Sequence, residues 1–178
     1  MKKTALFLTR FTCCAAVGAL VFLSGCANYK LGTTLSEDLR NVYVPTVRNE
    51  SGQPGVEREV TKAILKEIQR EGTLSLVSED RASTRLDIVV VGYRQDSIRF
   101  NSENTGVSEE YRMVLRASST FTNLNETDPK KATILQNIVE GEDTFLRGTD
   151  TITAMQQCLP KAAEDLAEQL IDACVSAW

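Results

Sequence analysis

Arg94, Arg99, Arg112 and Arg116 are the side chains in this 178-residue chain whose type and spacing fit a recognition chemistry. A guanidinium presents a planar fork of donors that matches phosphate or carboxylate oxygens. Arg112 and Arg116 lie four apart in an alternating stretch, so they project from one strand face about 13 Å apart at roughly 3.3 Å per residue. Arg94 and Arg99 precede a turn-forming segment, Asn101 to Ser108, that would fold their strand alongside. The competing reading is a solvated strand face neutralised by Glu103, Glu109 or Glu110. The acidic pairs Glu109-Glu110 and Glu142-Asp143 offer no dicarboxylate site, because neighbours in a strand point to opposite faces.

The chain contains no histidine, which removes the commonest general base, the commonest zinc and copper ligand and every Ser-His or Cys-His nucleophile arrangement. No phosphate-cradling glycine loop and no cysteine cluster with metal-ligand spacing occurs. We therefore expect no catalytic residues, metal site or cofactor, and no enzyme activity.

Cys26 carries a different chemistry. Lys2, Lys3 and Arg10 precede an apolar run from Phe11 to Leu23, closed by Leu23-Ser24-Gly25-Cys26. Charged, apolar, then small is the pattern of an export signal, and the run falls short of the roughly 20 residues a spanning helix needs. Leu-Ser-Gly-Cys resembles the bacterial lipobox, which implies diacylglycerol on the Cys26 thiol, cleavage after Gly25 and acylation of the new amino terminus. Several acyl chains on one residue anchor stably, each buried methylene contributing about 0.8 kcal/mol. Residues 1–25 thus read as a cleaved signal, 26–40 as a lipidated tether reaching about 45–50 Å when extended, and 41–178 as one domain.

Cleavage leaves 153 residues, enough for a single core. Losing Lys2, Lys3 and Arg10 leaves 17 basic against 24 acidic residues, a formal charge of −7, and free nucleic acid is not an expected partner. Cys13 and Cys14 leave with the signal. Cys158 and Cys174, 16 apart on one helix, would be about 24 Å apart, beyond the roughly 7 Å reach of a disulfide. Both read as small buried side chains.

The elements that must position these groups follow from periodicity. Val42, Val44 and Thr46 on one face and Tyr43 and Val47 on the other suggest an edge strand interrupted by Pro45. Val56, Val60, Ala63, Ile64 and Ile68 mark an amphipathic helix that Gly72 terminates, and a short strand follows at Leu74 to Val77. Leu86 to Val91 reads as a strand covered on both faces for part of its length. Tyr111, Met113, Leu115, Ala117 and Phe121 alternate with Arg112, Arg116, Ser118, Thr120 and Thr122, one set for a core and one for water or a polar partner. A last strand spans about Ala132 to Phe145. A closing helix begins at Asp150 or Thr151, carries Ile152, Met155, Leu159, Ala162, Ala163, Leu166, Leu170 and Ala173, and should kink or split at Pro160. Trp178 would cover the end of the core. The expected architecture is α+β, with two helices packed on one face of a four- to five-stranded mixed or antiparallel sheet.

Cys26-Ala27-Asn28-Tyr29-Lys30-Leu31, Val42 through Asn49, Glu57 through Gly72 with Leu74-Ser75-Leu76-Val77, and Leu86 to Arg94 together resemble the lipopolysaccharide-assembly lipoprotein family, LptE. The order and spacing carry the likeness, which spans nearly all of the mature chain. It implies a lipid-anchored outer-membrane protein on the periplasmic side that plugs and helps to assemble a β-barrel partner, LptD, and contacts lipopolysaccharide. The four arginines are candidates for that contact by chemistry alone. Accessory lipoproteins that activate peptidoglycan synthases, and lipoproteins of secretion pores, share the opening plan and are the alternative.

Overall fold

The computed structural model describes residues 36–100, 108–147 and 150–177, without the side chains of residues 100, 108 and 109. The export signal, Cys26, most of the tether, the tip of the long hairpin and Trp178 lie outside the described residues.

After a 3-10 turn at Glu37–Leu39, the strands are β1 (Asn41–Tyr43), β2 (Arg48–Asn49), β3 (Ser75–Leu76), β4 (Thr84–Phe100), β5 (Ser108–Asn123) and β6 (Thr133–Leu146). The helices are α1 (Val56–Glu71), the single turn α2 (Pro129–Ala132) and α3 (Thr151–Ser176). The sheet runs β3-β1-β4-β5-β6, with β2 also on β4. β1 and β2 are parallel to β4, whereas β4, β5 and β6 form a long antiparallel meander. The fold is therefore mixed α+β with helices on one face of an open sheet, as the sequence pattern indicates.

Pro45 explains why β1 and β2 are two pieces of one edge, because it cannot donate to the ladder. Its break also shifts the alternation, so Val42 and Val47 are both buried although a regular strand would place them on opposite faces. The Val47 amide, left out of the ladder, donates to Thr61 Oγ1 at 3.2 Å. The structured domain begins before residue 41: Leu39 packs against the core and the Arg40 carbonyl accepts from Ser75.

α1 forms as its spacing dictates, with Val56, Val60, Ala63, Ile64 and Ile68 buried in one stripe. Asn49 organises the turn before it, donating to Gln53 O and Glu57 Oε2 while its Oδ1 accepts from Ser51. Gly72 ends the helix at φ +79°, its amide bonded to Ile68 O.

Leu86, Ile88 and Val90 face the helices, but Val91 is 41% exposed, so β4 is covered on one side rather than two. The run of valines reflects β-branched preference for the pleat as much as burial. A bulge between Val90 and Gly92 then resets the register. In β5 the alternation is as expected: Met113, Leu115, Ala117 and Phe121 are buried on the helix side.

α3 is continuous through Pro160 rather than split there. Cys158, Ala162 and Ala163 are buried on either side of the proline, and this packing holds the helix together despite the missing backbone bond. Asp150 caps the helix, accepting from the Thr153 amide at 3.0 Å. Ile152 is 71% exposed and takes no part in the core, whereas Ala167 and Ile171 do. Lys66–Glu164 at 2.6 Å and Arg70–Glu168 at 3.3 Å bridge α1 to α3.

The tightest contact between layers is at Gly141 in β6. A Cβ built there would lie 2.3 Å from Leu166 N and 2.5 Å from Ala162 O, so α3 rests on bare strand backbone. Ala162, Ala163 and Ala167 keep the helix side equally thin. Gly141→Ala has only backbone to displace, and we expect it to cost about 3 kcal/mol, as overpacking does when nothing flexible can move. Urea denaturation checks this against Gly92→Ala, whose added methyl meets only Arg116 Cβ at 3.5 Å and should change stability far less.

Candidate functional site

The sheet face away from the helices has no helix over it among the described residues, and its composition follows from strand parity. β5 presents Arg112, Val114, Arg116, Ser118 and Thr120 there, with β4 on one side and β6 on the other. Across the strands, Arg94 pairs with Val114 and then Glu142, Asp96 with Arg112 and then Thr144, and Arg116 with Glu140. Arg94 thus falls in the row between Arg112 and Arg116, and the three form one cluster. Arg99 does not join it; it lies towards the hairpin tip and pairs with Glu110 at 3.5 Å.

Each arginine in the cluster has a carboxylate. Arg94 Nε donates to Asp96 Oδ2 at 2.9 Å, and that bond raises the pKa of its guanidinium. Arg112 Nη1 lies 3.6 Å from Glu142 Oε2. Arg94 Nη1 and Arg116 Nε approach the same oxygen, Glu140 Oε1, at 3.5 and 3.8 Å, so those nitrogens are at most 7.3 Å apart, the sum of the two distances. The cross-strand contacts are longer than a good charge-assisted hydrogen bond, and the arginine side chains of the cluster are 43–52% exposed. Such pairs contribute little to stability, on the order of 0–1 kcal/mol. Arg112 also has a buried Nε with no hydrogen-bond partner among the described residues. Beneath the charges, Val114 is only 1% exposed although it lies outside the main core.

The sequence reading did not find Asp96 and Glu140, and it weighed Glu142 only as a pair with Asp143, because it looked for acids next to each other or beside the hairpin. Glu140 and Glu142 are two apart, so on a strand they share a face, and the meander delivers both to the arginines. Of the anticipated partners, Glu110 is engaged, while Glu103 and the Glu109 side chain lie outside the described residues.

The clefts are on the helix side. One of about 470 Å³ opens between the starts of α1 and α3 over Tyr93, Met113, Met155 and Leu159, and another of about 330 Å³ lies beside the stacked Tyr111 and Phe145 rings. Among the described residues no group of three His, Cys, Asp or Glu side chains could hold a metal, and no helix is long and apolar enough to cross a membrane. Cys158 and Cys174 are buried thiols outside any disulfide; burial pushes each up to about 12, with Asp143 adding to the effect on Cys158.

The described residues form a two-layer α+β domain with a broad, charge-mixed sheet surface. The comparisons give the family. Residues 39–173 match the family model described as lipopolysaccharide-assembly, LptE, and the chain belongs to that family. No curated protein matches it in sequence. Among solved structures it is similar to a Xanthomonas campestris protein of family DUF330, with TM-score 0.55 and 11% identity over 77% of this chain and 84% of that one. A Chlamydia trachomatis hypothetical protein gives 0.53 and 8% over 77% and 96%. Rare lipoprotein B from Shewanella oneidensis gives 0.49 and 12% over 75% and 94%. At such identities the first two likenesses speak for the fold alone.

Burial holds Cys158 and Cys174 as neutral thiols at pH 7 and keeps reagents from them. A maleimide should therefore leave both unmodified in the folded protein at neutral pH and label both in denaturant. Intact-mass spectrometry reads the difference directly.

Proposed function

We propose that this protein is a lipid-anchored, non-enzymatic component of the lipopolysaccharide transport machinery. It is held at the periplasmic side of the outer membrane by acyl chains on Cys26, with residues 1–25 removed as the export signal. In this reading it plugs and helps to assemble an LptD-type β-barrel that delivers lipopolysaccharide to the cell surface. Family membership over residues 39–173 is the observation that carries the reading.

The open sheet face supports it chemically. Arg94, Arg112 and Arg116 are held by carboxylates at 3.5–3.8 Å across the strands, loose enough for exchange, and Arg112 Nε lacks an acceptor. A phosphate of lipopolysaccharide brings several oxygens to the same guanidinium forks and can replace Glu140 or Glu142. The internal carboxylates keep the face near neutral when no lipid is present, which reconciles an arginine cluster with an acidic chain. Arg99 remains a candidate for the same contact, nearer the hairpin tip.

Two measurements test this. Affinity purification of the full-length lipoprotein from detergent-solubilised outer membranes should retain a large β-barrel protein near one-to-one. Recovery of a peptidoglycan synthase, or of the protein as a ring of itself, would overturn the family-based role. In a lipopolysaccharide-binding assay, Arg94→Ala combined with Arg116→Ala should weaken binding by roughly tenfold, two lost charged contacts being worth about 1–2 kcal/mol. Glu140→Gln should strengthen it severalfold, because it releases both arginines from their shared carboxylate. Equal binding by all variants would remove the arginines from the contact.

A further inference from the structure

β6 is a long edge strand. Over Thr133–Leu146 it pairs with β5 and, among the described strands, with no other. It contains no proline, one of the devices that natural sheets use to block such an edge. Two of its amides are held by side chains: Ile138 N–H donates to Asn137 Oδ1 and Glu142 N–H to Asp165 Oδ2, each at 2.8 Å. In an antiparallel ladder the amides of alternate residues point to the same side, so these bonds place the even-numbered amides away from β5. Asp165, carried by α3, closes the edge at Glu142, and α2 bounds it at Ala132. Between them Gln136 to Glu140 presents an outward ladder about 17 Å long at roughly 3.3 Å per residue, ending where the register shifts at Ile134. Its one local cover is the Asn137 side chain, which a rotamer change removes.

The charges along this edge indicate what would occupy it. Glu140 and Glu142 project on the open-face side, and their arginine contacts come from β4 and β5, across the sheet from the edge. On the helix side Gln169 donates to Asp165 Oδ2, which shows which flank of α3 borders the edge, and Asp172, seven residues beyond Asp165, shares that flank. Lys161, four residues before Asp165, is the one basic residue on this flank. Ile138, 53% exposed, sits in the middle. A second copy would set one acidic rim against another, and like charges opposed across strands are destabilising.

We propose that the β6 edge accepts an extended, basic segment of a partner protein as an additional strand of the sheet. Opposite Ile138 the segment carries a β-branched apolar residue, and opposite Glu140 and Glu142 it carries arginine or lysine at alternate positions. Main-chain hydrogen bonds from Gln136 and Glu140 supply affinity, and the acidic rim supplies direction and selectivity. The inference stands on the edge geometry; it shares Glu140 and Glu142 with the open face, and exchange protection of the β6 amides reads strand addition separately from any binding to the arginines.

The test uses the full lipoprotein in detergent and a short blocked peptide that alternates threonine with valine and arginine, beside a counterpart with glutamate for arginine. Hydrogen–deuterium exchange should slow by roughly tenfold or more within residues 134–140 when the basic peptide is saturating, with no change from the acidic one. Gln136→Pro, which removes an outward amide that the core does not use, should abolish the protection. Should that variant fail to fold, Glu140→Gln combined with Glu142→Gln should weaken peptide binding about threefold to tenfold, the range for two exposed ion pairs. No protection at millimolar peptide, equal protection by the acidic peptide, or protection located elsewhere would overturn the proposal. Concentration-dependent protection of residues 134–140 without peptide would overturn it in favour of a second copy.

Discussion

The contact on which the molecule depends is the one between Gly141 and α3. A 26-residue helix lies so close to β6 that a methyl group would meet its backbone at 2.3 Å, and Ala162, Ala163 and Ala167 make that approach possible from the helix side. Close packing at this point sets the depth of the layer between helices and sheet, where Leu166, Leu170, Phe121 and Leu115 are fully buried. It also fixes α3 sideways, since Asp165 reaches the Glu142 amide one residue from the glycine. α3 runs unbroken through Pro160 with buried residues on both sides of it.

The open face is a consequence of this one-sided packing. Both long helices cover the same side, so β4, β5 and β6 turn a broad polar surface outward. That surface is neutralised from within: Asp96, Glu140 and Glu142 answer Arg94, Arg112 and Arg116, and their aliphatic stems shield Val114. Loose ion pairs of this kind do little for folding, and the same looseness lets an incoming phosphate or a partner's charges take over the arginines. Glu140 and Glu142 stand where the open face meets the β6 edge, so the same carboxylates that neutralise the arginines border the strand edge that Asp165 of α3 flanks.

Elements with a single strong period were legible in the sequence. The i, i+4 stripe of Val56, Val60, Ile64 and Ile68 and the terminating Gly72 gave α1 its bounds, and the alternation from Tyr111 to Thr122 gave the two faces of β5. Misreadings arose where one signal had two causes. Valines from Val89 to Val91 suit a pleated strand whether or not both faces are covered, and Pro45 resets parity so that Val42 and Val47 share the core. Gly141 gave no warning, because a glycine needed for close approach looks in sequence like a weak point in a strand. The arginines were found by type, but their carboxylate partners come from β6, 24 to 46 residues away in sequence, and from Asp96 two residues along the same strand; only the meander register shows which pair.

The central claim is that the outward face of β4, β5 and β6 is the surface through which this protein works. Single cysteines at Ser118 and Thr120, which point from that face, can be labelled with a membrane-impermeant maleimide in purified protein and in outer membranes opened on the periplasmic side. Wild-type thiols at Cys158 and Cys174 are buried and give a low background. The account predicts rapid labelling of both positions in the isolated protein and strong protection in the membrane, with a control cysteine at Lys62 on the solvent side of α1 reacting equally in both. Labelling of Ser118→Cys and Thr120→Cys undiminished in the membrane would contradict it, and protection at Lys62→Cys instead would move the working surface to the helices.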